Sequence, residues 1–221
     1  MPKRKLQRFE ELKGLQRVYQ FPYSQVHTDH GMKGNWRPNV FGNEHPLVLE
    51  LGCGRGEYTV NLAQSFPEKN FIGADIKGAR LWRGAKTINE ENILNAAFLR
   101  VQAEWLGEFF AEGELSEIWI TFPDPQPQLS RENRRLTNPV FLSRYRHLTA
   151  KGGIFHLKTD NIGLFDYTVE MLGNEKGFME VCTRDLYNEP PAGFDLSIQT
   201  TYEKKFLAEG FRINYLRFRW A

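Results

Sequence analysis

The 221-residue chain is 41% hydrophobic and 25% charged, which supports one sizeable core and excludes a disordered chain. Its longest apolar runs are strand-sized, so no membrane span is expected, and no apolar stretch follows the basic Met1-Pro2-Lys3-Arg4-Lys5 to make a secretory signal. Cys53 and Cys182 are too few for a disulfide framework or a four-cysteine zinc site, and the net charge of +2 does not by itself imply a nucleic-acid partner.

Residues 1 to 45 are polar and without period, and they read as a basic, loosely ordered extension with one short helix. Within residues 1 to 17, Lys3, Arg4, Lys5, Arg8, Lys13 and Arg17 are opposed only by Glu10 and Glu11, so that run suits a phosphate-binding arm. His27 and His30 flank Asp29, but a third ligand is missing and no metal is expected. From Leu47 onward short apolar runs recur, at 47–51, 71–74, 98–101, 118–122 and 154–157. Helix-length segments separate them, at 57–66, 77–92, 104–110, 134–149 and 161–174. Strands alternating with helices imply an α/β, doubly wound, mostly parallel sheet, and residues 46 to 221 are assigned to that domain. Two further strand-like runs, 179–186 and 211–219, complete seven strands. The alternation in Phe211-Arg212-Ile213-Asn214-Tyr215 suits a final antiparallel strand. Trp82, Trp105 and Trp119 fall within these patterns and are expected in the core.

The first of these strands ends in Glu50-Leu51-Gly52-Cys53-Gly54-Arg55-Gly56. Glycines at Gly52 and Gly54 allow a tight turn and a close approach of ligand to backbone at a strand's carboxyl end. The second strand closes on Asp75, placed to accept both hydroxyls of an adenosine ribose. The spacing G-x-G-x-G differs from the G-x-G-x-x-G that sets a pyrophosphate on a helix N-terminus. An acidic Glu50 before the turn repels a pyrophosphate but suits an ammonium and a sulfonium. S-adenosylmethionine is therefore preferred over a nicotinamide cofactor. Cys53 reads as packing beside the ligand. The fourth strand ends in Phe122-Pro123-Asp124-Pro125, where two prolines hold one carboxylate rigidly beside the cofactor.

These residues, with Arg134-Arg135-Leu136, Lys158-Thr159-Asp160 and Thr200-Thr201-Tyr202-Glu203, resemble the bacterial single-subunit tRNA (guanine-N7-)-methyltransferases. The resemblance spans roughly residues 47 to 219 and implies a Rossmann-like methyltransferase fold. It implies methylation of N7 of a guanosine in the variable region of tRNA. It further implies cofactor contacts from Glu50, Gly52, Gly54, Asp75, Gln102 and Asp124, with Asp124 central to catalysis. Substrate contacts would come from Gln128, Asp160, Thr200, Thr201, Tyr202 and Glu203. Arg131, Arg134 and Arg135 are expected on tRNA phosphates. Gln126 and Gln128 stand where Trp and Lys are frequent, and Gln102 where Asp or Asn is usual. For the guanine edge Asp124, Asp160 and Glu203 remain rivals. A cytoplasmic monomer or homodimer is expected. The alternatives are a nicotinamide-dependent oxidoreductase and a non-catalytic RNA-binding module on the same fold.

Overall fold

Every strand-sized run of the sequence enters one eight-stranded sheet, of order β1-β4-β3-β2-β5-β6-β8-β7. The strands are β1 (Val18–Gln20), β2 (Leu47–Leu51), β3 (Asn70–Asp75), β4 (Ala96–Arg100), β5 (Leu115–Thr121), β6 (Thr149–Thr159), β7 (Gly177–Thr183) and β8 (Asn214–Trp220). The computed structural model describes residues 3–221 and side chains from Leu6 onward, so the expected roles of the Lys3, Arg4 and Lys5 charges lie outside the described residues. Strands β1 to β6 pair in parallel, while β8 runs antiparallel to both β6 and β7. The expected seven strands thus gain an eighth, β1, from the N-terminal segment.

Helices cover both faces. They are α1 (Lys3–Gly14), α2 (Glu57–Ser65), α3 (Gly78–Glu90), α4 (Leu106–Phe109), α5 (Pro139–Leu148), α6 (Ile162–Leu172) and α7 (Thr201–Ala208). Because side chains alternate along a strand, β2 feeds two cores: Leu47, Leu49 and Leu51 enter one, and Val48 enters the other. That double burial explains the unbroken apolar runs. Helix α5 begins later than the periodicity suggests. Pro139 sits in its first turn and the Asn138 side chain accepts from Phe141 N at 3.0 Å, so the helix starts there and Leu129–Arg134 forms a 3-10 turn. Asn161 caps α6 in the same way, through Leu164 N at 2.8 Å. None of the helices among the described residues is long and apolar enough to cross a membrane.

The N-terminal segment is more ordered than its composition suggests. Helix α1 packs on α3 and buries Leu12, and Val18 to Gln20 extend the sheet beside β4. Val26, Met32 and Trp36 belong to the same core as β2. The fully buried Trp36 indole donates to Phe109 O at 2.7 Å and stacks on Phe110 at 5.4 Å. Glu114 accepts from Gly34 N at 2.9 Å and Ala111 N at 2.8 Å, which ties this segment to the turn before β5.

Candidate active site

Strand order reverses at β2, whose neighbours are β3 on one side and β5 on the other. The carboxyl ends of β2 and β5 are therefore the switch point of the sheet, where ligands bind in open α/β folds. The glycine turn leaves β2 there, with Gly52, Gly54 and Gly56 at φ 75°, 57° and 72°. At Gly56 a Cβ would lie 2.4 Å from the Phe98 ring, so this position needs glycine for both its conformation and its packing. Asp75 fixes the turn from the next strand. One carboxylate oxygen accepts Gly54 N at 2.9 Å and the other accepts Lys77 N at 2.7 Å, leaving further lone pairs for a ligand.

Glu50 lies beneath the turn and is buried. Thr59 donates to it from N (2.8 Å) and from Oγ1, and Thr121 Oγ1 donates at 2.7 Å. Burial pushes its carboxyl up to about 7, against the hydrogen bonds from Thr59 and Thr121 and with help from the nearby Asp75 charge. Its oxygens accept from these threonines, which fixes the carboxyl group directly under the glycine turn. Cys53 is also buried, and burial together with Glu50 and Asp75 pushes its thiol well up, which disfavours a nucleophilic thiolate.

At the end of β5 the backbone turns sharply. Phe122 has φ 48° and Gln126 φ 42°, unusual values that bracket Pro123-Asp124-Pro125. Phe122 N donates to Lys158 O at 2.8 Å, and Asp124 Oδ1 accepts Gln126 N at 3.1 Å. Arg135 Nε donates to Gln126 O at 3.2 Å while its guanidinium lies 4.4 Å from the Tyr167 ring. Arg135 thus clamps the proline segment from below, which competes with the phosphate role expected of it.

A second support rises from β6. Lys158 and Glu203, both essentially inaccessible, pair at 2.7 Å. Glu203 also accepts the Tyr187 hydroxyl at 2.8 Å and closes a capping box with Thr200 at the start of α7. Burial lowers the Lys158 pKa, while Glu203 acts in the opposite sense. With its carboxylate engaged by Lys158, Tyr187 and the capping box, Glu203 holds the first turn of α7 in place. Thr201 N and Oγ1 reach Glu57 at 2.6 and 2.5 Å, joining α7 to the glycine turn.

These supports frame two adjoining cavities. The larger, about 570 Å³, is walled by Gly52, Asp75, Gln102, Asp124 and Arg134 among the expected residues. The smaller, about 200 Å³, is walled by Gly52, Gly54, Thr200, Thr201 and Tyr202. Gly52, Arg80 and Phe122 line both, so the two spaces meet at the ends of β2 and β5. Glu50, Gln128, Arg131, Arg135, Asp160 and Glu203 line neither. Asp160 is half-buried at the end of β6, where burial raises its pKa, and Gln128 and Arg131 are exposed.

A family profile described as "Putative methyltransferase" matches residues 44–216. A tRNA (guanine-N(7)-)-methyltransferase of Bacteroides thetaiotaomicron is 46% identical over 220 residues, covering 99% of this chain and 86% of that protein. One from Christiangramia forsetii is 49% identical over 220 residues, covering 98% of each. The chain belongs to the tRNA (guanine-N7-)-methyltransferase family. Among solved structures, the 16S rRNA methyltransferase KamB superposes with a TM-score of 0.63 at 13% identity, covering 94% of this chain and all, 100%, of that one. At that identity the likeness speaks for the fold, a Rossmann-like methyltransferase sheet.

Within this family member, several site residues escaped sequence reasoning. Ile76 is 51% exposed and lines the larger cavity directly after Asp75, an apolar surface suited to an aromatic ring. Its only signal was its place after the acidic strand end. Arg80, which lines both cavities, carries no motif, and the pairing roles of Glu57 with Thr201 and of Lys158 with Glu203 join residues distant in sequence. His27 pairs with Glu108 at 3.1 Å and His30 reaches Val26 O at 3.0 Å, and no group of three metal-ligating side chains occurs among the described residues. Trp119 is buried as expected, whereas Trp82 and Trp105 are half-exposed at the surface.

Proposed function

We propose that this chain transfers a methyl group from S-adenosylmethionine to N7 of a guanosine in the variable region of tRNA. The observation that carries the reading is the meeting of two cavities where the glycine turn and Asp124 come together. The larger cavity suits an adenosine by its chemistry. Asp75 offers spare lone pairs to a ribose diol, Gln102 offers a hydrogen-bonding amide, and Ile76 and Val101 offer apolar surface. Bound there, S-adenosylmethionine supplies an electrophilic methyl carbon. Glu50 contributes negative potential from beneath the turn, which favours a cationic ligand in the fraction of molecules where it is ionised.

Guanine N7 carries an in-plane lone pair and no proton, so no general base is required. Catalysis then rests on placement. Asp124, exposed in the cavity wall and held by Pro123, Pro125 and Gln126 N, accepts the N1–H and N2–H groups of guanine. Adenine lacks that pair of donors. The same carboxylate offsets the positive charge that develops on the purine during transfer. Thr200, Thr201 and Tyr202 shape the smaller cavity for the target nucleotide, and Arg131 and Arg134 attract its phosphates. The rivals are less well placed, since Glu203 is buried in its ion pair and Asp160 lines neither cavity. The setting we assign is the cytoplasm, in keeping with the free thiols of Cys53 and Cys182.

The experiment is nucleoside analysis of tRNA incubated with the protein and labelled methyl donor. The expected product is 7-methylguanosine, and Asp124→Asn is expected to lower kcat by about two orders of magnitude. Another methylated nucleoside, or near-normal turnover in the variant, refutes the assignment.

A further inference from the structure

A third cleft, of about 360 Å³, adjoins the smaller cavity and shares Tyr202 with it. Four arginines line it: Arg8 from α1, Arg55 from the glycine turn, and Arg80 and Arg83 from α3. All four are exposed, and among the described residues none of them forms an ion pair. The acidic residue in the cleft wall, Glu57, already accepts both donors of Thr201. Such a concentration of unneutralised positive charge repels itself and draws in a polyanion.

Helix α1 sets this geometry. Leu12 is buried against α3, and the Arg8 guanidinium lies 4.8 Å from the Trp82 ring, so Arg8 is held over the cleft by a folded element. The Trp82 indole in turn donates to Glu11 at 2.5 Å, which locks α1 to α3. Tyr202 is 53% exposed and lines both this cleft and the smaller cavity, as do Arg55 and Arg80. The two spaces are therefore continuous around one aromatic ring.

We propose that this cleft grips the phosphodiester backbone of the RNA next to the target nucleotide, with Tyr202 as a stacking surface between the gripped phosphates and the reaction centre. The inference rests on the tRNA reading above and adds a second basic contact, separate from Arg131 and Arg134. Guanidinium groups suit phosphate oxygens by their fork of donors, and an exposed aromatic ring beside them is the pairing used to hold unpaired nucleotides. An acidic protein surface would use the arginines but leave the ring and its continuity with the methyl-transfer cavity without purpose.

The test is the double variant Arg8→Gln/Arg83→Gln, both residues lying outside the two catalytic cavities. The KM for tRNA is expected to rise about tenfold with kcat within about twofold, and direct tRNA binding is expected to weaken in parallel. Two lost phosphate contacts are expected to flatten the slope of log affinity against log salt by about 1.4 to 1.8. An unchanged melting temperature and unchanged stabilisation by S-adenosylhomocysteine serve as the fold control, and Arg8→Lys/Arg83→Lys is expected to recover most of the affinity. If the wild-type protein methylates tRNA and the double variant keeps both its tRNA affinity and its salt slope, the cleft proposal is overturned while the function stands. If the wild-type protein forms no 7-methylguanosine in tRNA, the functional reading itself fails.

Discussion

Glu50 is a carboxyl group held under the cofactor turn with two threonines as its hydrogen-bond donors. Burial lifts it to about 7, whereas an unfolded glutamate titrates near 4.3. The folded state therefore holds this proton more tightly than the unfolded chain does. The resulting stability is complete below the unfolded value and is lost as pH rises through about 7, at up to ~1.4 kcal/mol per pH unit. Glu50→Gln is expected to flatten the fall in melting temperature between about pH 5 and 8; parallel curves for variant and wild type would remove this group from the account. Among single residues, Asp75 and Asp124 stand out in the sequence because a carboxylate that closes an apolar run, or sits between two prolines, breaks the pattern around it. The sequence hid the buried state of Glu50 and Glu203 and the clamping state of Arg135. Their partners Thr121, Lys158 and Tyr167 lie far away along the chain, and only folding brings them close.

Strands β2 to β6 were legible because burial on both faces leaves an apolar run that polar segments interrupt. Strand β1 was not, since three half-buried residues carry no period. Arg134-Arg135 favour helix by propensity, whereas the Asn138 cap and Pro139 decide where α5 starts. Helix α7 shows how an element can depend on one buried ion pair. With eight residues it is too short to persist by propensity, and Glu203 holds its first turn to Lys158 on β6. Lys158→Met leaves the Glu203 carboxylate buried without its cation, at an expected cost of about 3–5 kcal/mol. Because α7 carries Thr201 and Tyr202, the same variant is expected to raise the KM for tRNA. Chemical denaturation and kinetics together check this, and a stability change under about 1 kcal/mol would show that the pair is not needed. Adding Glu203→Gln to Lys158→Met is expected to recover part of the stability, since neither charge is then left alone.

For the molecule as a whole, the N-terminal residues complete the main body. Trp36 sits in the core beneath β2 and β5, with its indole nitrogen satisfied by Phe109 O. Trp36→Ala is expected to cost about 3–5 kcal/mol, comparable to removing an aromatic from any close-packed interior. A melting temperature unchanged by that substitution would mean the segment is an appendage after all. Isolated aromatics in a polar stretch gave little warning, because a residue that plugs a gap between elements follows no repeat of its own.

The pairing of β1 with β4 carries a consequence for biosynthesis. Val18 lies opposite Phe98, and every other parallel neighbour in the sheet is also supplied by a later stretch of chain. On the ribosome, the early strand must wait unzipped until the β4 segment has emerged, and the two edges of β2 stay open until β3 and β5 follow. Such long-separation closure makes for slow assembly, with bare strand edges on display meanwhile. A nascent chain halted after Glu104 would hold Asp75, Ile76, Val101 and Gln102 but lack the wall that bears Asp124, so the nucleoside-facing residues and the catalytic carboxylate would be acquired at different moments of synthesis.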